Sequence, residues 1–73
     1  MTLNELKDAH PYGVYSERFS CYYTVDYDNE MGYFKQLDDG SFDDNWNFVD
    51  FDTLGNKMRY ELERIAAYIF YNM

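Results

Sequence analysis

The last twenty-one residues, Thr53 to Met73, constrain the fold most, because they form the one long stretch with helical period. Leu54, Met58, Leu62, Ile65, Ala66, Ile69, Phe70 and Met73 gather on one face when wound at 100° per residue. Asp52 or Thr53 is placed to cap the start, and Gly55 is the only residue locally opposed to a helix. An apolar helix face must lie on something. The upstream chain offers alternating aromatic segments and nothing else apolar enough.

Those segments read as strands. From Arg18 to Tyr27, Phe19, Cys21, Tyr23, Val25 and Tyr27 share one side, while Arg18, Ser20, Tyr22, Thr24 and Asp26 share the other. Asp28-Asn29-Glu30-Met31-Gly32 supplies a turn, and Tyr33 to Leu37 a second strand. Asp39-Gly40 is a strong two-residue hairpin signal. Such a loop sets Leu37 opposite Phe42, Lys35 opposite Asp44 and Tyr33 opposite Trp46. The third strand then runs from Phe42 to about Val49.

At the N-terminus, Thr2 followed three residues later by Glu5 fits a capping box for a short helix ending near Ala9. His10-Pro11 stops it, since the residue before proline avoids helical backbone, and Tyr12-Gly13 reads as a turn. The expected fold is a single α+β domain over residues 1–73. A three-stranded antiparallel meander packs against the long C-terminal helix, and the short N-terminal helix adds a lid. Trp46 joins Phe19, Cys21, Tyr23 and Val25 beneath the long helix in this reading.

Seventy-three residues bury only a small core, roughly 60% of the unfolded surface for a chain of this size. Nine Tyr, six Phe and one Trp make up for it with large side chains. They also separate the chain from disordered acidic tails, which are poor in aromatics.

Charge is the most informative functional feature. The formal net charge is -8, and its distribution is lopsided. Residues 1–52 carry twelve acids and three bases, residues 53–73 two acids and three bases. The acids cluster as Asp26, Asp28 and Glu30; Asp38 and Asp39; Asp43 and Asp44; Asp50 and Asp52. This sign opposes direct binding to nucleic acid or anionic membrane and favours basic partners. The plainer role of such aspartates is to keep strand edges and turns solvated and unpaired with neighbours.

Chemistry finds little footing. Cys21 is the only cysteine, which excludes an intrachain disulfide and a cysteine-built zinc site, and it reads as a small buried hydrophobe. His10 is the only histidine and stands beside proline in a loop. A calcium loop begun at Asp26 places Met31 where glycine is required and Leu37 where the closing glutamate belongs. One begun at Asp39 places Asp44 at the glycine position. Paired catalytic carboxylates need differently tuned environments and a cleft, for which the chain has little room. No enzyme activity, metal or cofactor is expected. The start of the chain lacks a signal-peptide pattern and no stretch has membrane-span length, so a cytoplasmic location is expected.

In size, acidity and Tyr/Asp content the chain resembles the broad class of small phage- or mobile-element-encoded inhibitors, which includes DNA mimics, anti-restriction and anti-CRISPR proteins. That resemblance implies a stoichiometric inhibitor that occupies a basic nucleic-acid-binding surface of a host defence nuclease or CRISPR/restriction complex, as a monomer or homodimer. Asp26, Asp28, Glu30, Asp38, Asp39, Asp43 and Asp44 would form the binding surface, with Tyr22 and Tyr33 as anchors. A different class of reading rests on the helix flank of Lys57, Tyr60, Arg64, Tyr68 and Tyr71, whose residue types are common in interface hot spots. It makes the chain a non-enzymatic interaction module or subunit that docks through its C-terminal helix.

Overall fold

Thr2 opens the first helix in the way its spacing from Glu5 predicts. In the computed structural model, which describes residues 1–26 and 28–73, α1 spans Leu3–Ala9. The Glu5 amide donates to the Thr2 hydroxyl at 3.2 Å, and the Thr2 amide donates to the Glu5 carboxylate at 3.2 Å. The Thr2 amide, together with the Thr2 hydroxyl 3.1 Å from the same oxygen, holds the exposed Glu5 carboxyl below its ordinary range. The His10 amide closes the helix on the Leu6 carbonyl at 2.8 Å, immediately before Pro11.

Among the described residues, four antiparallel strands follow in chain order: β1 Val14–Ser16, β2 Cys21–Val25, β3 Met31–Lys35 and β4 Asn47–Phe48. The α+β class stands as expected, and the count of three strands is corrected to four. β1 is too short for alternation to reveal it. Its partner is what defines it, Val14 lying opposite Tyr23 and Ser16 opposite Cys21. β2 pairs with β3 from Cys21 and Lys35 to Val25 and Met31. The end of the expected first strand, Tyr27, lies outside the described residues.

The second hairpin departs from its expected register. Gly40 does take the left-handed conformation that favours glycine, with φ of 87°. The loop is wider than two residues, however. The Leu37 amide bonds to the Ser41 carbonyl at 2.8 Å, and Gln36, not Leu37, lies opposite Phe42. The Asp43 carboxylate then accepts from the Asn45 amide at 2.9 Å, a turn that competes with strand pairing. Beyond it Tyr33 faces Asn47 instead of Trp46. Asp44 lies 3.6 Å from the Met1 amino group, not beside Lys35.

A one-residue slip moves a side chain to the other face of a sheet. Trp46 accordingly leaves the α2 side and packs over Gly32 on the opposite one, where any Cβ on residue 32 would overlap the indole.

The long helix starts later than the sequence suggests. Asp50 accepts from the Asp52 amide at 3.1 Å and caps a 3₁₀ turn, Phe51–Thr53. Helix α2, Asn56–Asn72, begins only after Gly55, which sits at its cap in extended conformation without a side-chain bond. Neither Asp52 nor Thr53 caps it. Gly55 therefore stands outside the helix and does not interrupt it.

Both faces of the sheet are covered. On one, Cys21, Tyr23, Met31 and Val49 pack with Leu62 and Ile69 of α2, flanked by half-buried Phe19, Val25, Tyr33, Leu54 and Ile65. On the other, Tyr22 and Phe34 pack with Leu6 of α1 and with Phe42, flanked by Leu3, Tyr15 and Trp46. Tyr22 is only 1% exposed there, and its hydroxyl donates to the His10 carbonyl at 2.6 Å. Met58, Phe70 and Met73, assigned to the apolar face of α2, are exposed.

Cys21 is buried on the α2 side, and burial pushes its thiol above the ordinary range. The thiol donates to the Phe19 carbonyl at 3.2 Å. A thiol so placed is a poor thiolate and a poor nucleophile. We expect a maleimide reagent to label Cys21 only as fast as the protein unfolds. Labelling of the folded protein at the rate of a free thiol would put this face in solvent.

Candidate interaction surfaces

The acidic residues are distributed by the two turns that bound β3. Asp26, Asp28 and Glu30 belong to the β2–β3 turn, whereas Asp38, Asp39, Asp43 and Asp44 belong to the β3–β4 connection. β3 has five residues, so at about 3.4 Å per residue the two groups stand about 17 Å apart along the strand. The seven candidate carboxylates thus form two surfaces at opposite ends of the sheet. A single continuous row is not what the fold builds.

Several of these carboxylates first serve their own turns. Asp26 Oδ1 accepts from the amides of Asp28 and Glu30, each at 2.9 Å. Asp39 Oδ1 accepts from the Ser41 amide at 2.9 Å and the Ser41 hydroxyl at 2.6 Å, which lowers its pKa. Aspartate at such positions is a turn-former in its own right. The charge nevertheless stays available to a partner. Asp28, Glu30, Asp38, Asp39 and Asp44 are exposed, and Asp26 and Asp43 half-buried. The ion pairs among the described residues are Arg18 with Glu61, Arg59 with Glu63 and the Met1 amino group with Asp44. Six of the seven candidates take part in none of these ion pairs, although Asp43 lies across the hairpin from Lys35, its amide donating to the Lys35 carbonyl at 2.9 Å.

The two proposed tyrosine anchors do not serve equally. Tyr22 is enclosed between the sheet and α1, so it is removed from the binding surface. Tyr33 is half-buried on the α2 side, its ring centroid 5.9 Å from that of Tyr23. The tyrosines of the α2 flank are far more exposed, with Tyr60 at 62%, Tyr68 at 61% and Tyr71 at 89%. The Arg64 guanidinium lies 6.0 Å from the Tyr60 ring centroid. This flank is open to a partner, and the sequence pattern located it.

The groups best suited to catalysis are kept apart. Cys21 faces α2, whereas the His10 ring lies 5.5 Å from Phe34 on the opposite face. Among the described residues no three of His, Cys, Asp and Glu come together as a metal-holding group, and no helix is long and apolar enough to cross a membrane.

One feature escaped the sequence pattern. A cavity of about 440 Å³ opens where α1 ends beside the β2–β3 turn. His10, Tyr12, Thr24, Asp26, Phe34 and Trp46 line it. These residues come from separate segments, and the inward place of Trp46 depends on the hairpin register. No local signal in the sequence could have assembled them.

Compared with protein-family models, with curated proteins and with solved structures, the chain matches none.

Proposed function

We propose that this chain acts without chemistry, as a stoichiometric inhibitor that binds a basic nucleic-acid-binding surface of a protein. By the compositional resemblance, a host defence nuclease or a CRISPR/restriction complex is the class of target. The observation that carries the reading is the unneutralised acidity of the sheet ends: Asp26, Asp28, Glu30, Asp38, Asp39 and Asp43 lie outside the ion pairs of the described residues. The division into two ends means that the partner either spans the sheet or uses one end alone. Inhibition follows from occupancy. A groove filled with carboxylates is closed to phosphates, electrostatic attraction speeds the encounter, and packed contacts slow release.

A second reading is favoured by the exposed Tyr60, Tyr68 and Tyr71 beside Arg64. In that reading α2 docks on a larger protein, and the acids surround the contact without forming it.

The test is competition on a partner captured from cells that carry restriction and CRISPR systems. If the acidic surface binds, DNA or RNA displaces this chain from the partner, and association slows steeply as salt is raised. The chain itself retains neither nucleic acid. Binding that is indifferent to both salt and nucleic acid would rule out the acidic surface and leave the helix flank.

A further inference from the structure

The cavity between the end of α1 and the β2–β3 turn combines two kinds of wall. Phe34 is buried and Trp46 half-buried, while Tyr12 and His10 stand nearer the surface. Val25 and Met73 extend the apolar wall, and Asp26 is the one acidic side chain among the lining residues. Its Oδ1 is fixed by the Asp28 and Glu30 amides, and its second oxygen has no hydrogen-bond partner among the described residues. Exposed Asp28 and Glu30 follow in the same turn. The groove between β1 and α2 has a different character, since Arg18, Glu61 and Arg64 line it.

We infer that the aromatic cavity receives an arginine side chain of the basic partner, an assignment that rests on the acidic-surface reading above. The chemistry is complementary at each point. A guanidinium is planar and weakly hydrated, so it enters between aromatic rings and is attracted to their faces. Its fork of N–H donors matches a carboxylate oxygen held in place beforehand. The volume, about 440 Å³, lies within the range of ligand pockets, about 300–1,000 Å³, and leaves room for the stem of the side chain. Asp28 and Glu30, both exposed, add negative charge next to Asp26 in the chain. In this arrangement the cavity supplies a specific anchor, and the distant acids supply the longer-range attraction.

Trp46 is the only tryptophan, so its emission and its indole N–H resonance report directly on the cavity. The probe is the capped tripeptide acetyl-Gly-Arg-Gly-amide, titrated into the full chain at low salt. The expected result is a saturable change in both signals with a Kd in the millimolar range. The matching citrulline peptide, neutral and nearly isosteric, should give no saturation. Asp26→Asn keeps a side-chain oxygen for both turn amides and removes the charge, and it should weaken arginine binding about tenfold. Tyr12→Ala removes an exposed ring and should weaken it without altering the melting temperature. An equal response to citrulline, or an Asp26→Asn variant that binds as the parent does, would overturn the assignment. So would the absence of saturation. Each of those outcomes removes the arginine pocket alone, because the acidic-surface reading fails separately, on salt-indifferent binding to the captured partner.

Discussion

Ile69→Ala is expected to lower the urea midpoint of the protein sharply while leaving the slope of the transition unchanged. Ile69 is fully buried, and with Leu62 it forms the part of α2 that the sheet encloses. Truncating a buried isoleucine costs about 2–5 kcal/mol, from lost transfer energy and the cavity left behind. At roughly 0.05–0.15 kcal/mol per residue the whole chain is worth only about 4–11 kcal/mol, so this one change removes a large share. Ile65 lies one turn earlier and is half-buried, so Ile65→Ala should cost less. Phe70 is adjacent to Ile69 but exposed, and Phe70→Ala should stay within about 0.5 kcal/mol of the parent. The ordering Ile69, Ile65, Phe70 is the test of which helix face is seated. Equal midpoints for Ile69→Ala and the parent would show that α2 is wrongly placed on the sheet. A changed slope would point instead to altered compactness of the unfolded or folded chain.

That ordering also shows which parts of the fold the sequence carried. The capping box of α1 was legible because Thr2 and Glu5 are three residues apart and bond to each other. The seated face of α2 was legible because Leu62, Ile65 and Ile69 repeat at helical spacing. β2 was legible as a strand, but only half of its environment was. Tyr22 alternates with Cys21 and Tyr23 as a polar-side residue would, yet tyrosine suits either side of a sheet provided its hydroxyl finds a partner. Here the partner is the His10 carbonyl, supplied by the lid helix. The hairpin failed for a reason of the same kind. Asp39-Gly40 marked the turn correctly, but nothing local announced that Asp43 would bond to the Asn45 amide and push the chain out of register. From that slip follow the short β4 and the displaced Trp46, whereas the pairing of Lys35 with Asp44 is already lost at the widened loop, where Gln36 lies opposite Phe42. The acids themselves could be named from sequence. Their division between two ends of β3 depends on strand order and turn positions, and the cavity depends on five segments meeting.

Neutralising the four acids at one end of the sheet should weaken partner binding by up to about a thousandfold, and the two ends can be separated. Asp38, Asp39, Asp43 and Asp44 form one set; Asp28 and Glu30 form the other, leaving Asp26 to the cavity experiment. Asparagine keeps the side-chain oxygens that Asp39 and Asp43 lend to their turns, so the first set changed to Asn should remain folded. Each exposed carboxylate facing a basic group is worth only about 0.2–1 kcal/mol. Single substitutions should therefore change affinity by about fivefold or less. Four together remove about 1–4 kcal/mol, from roughly fivefold to a thousandfold in Kd, and more if they act on one contiguous groove. The loss should appear mainly in the association rate at low salt and shrink as salt rises, because screening removes the same attraction from the parent. If only one set matters, the partner uses one end of the sheet. If both matter, it spans the sheet. Should neither set change the affinity while Tyr60→Ala or Tyr68→Ala abolishes binding, the acids serve solubility alone, and the interface belongs to the exposed flank of α2.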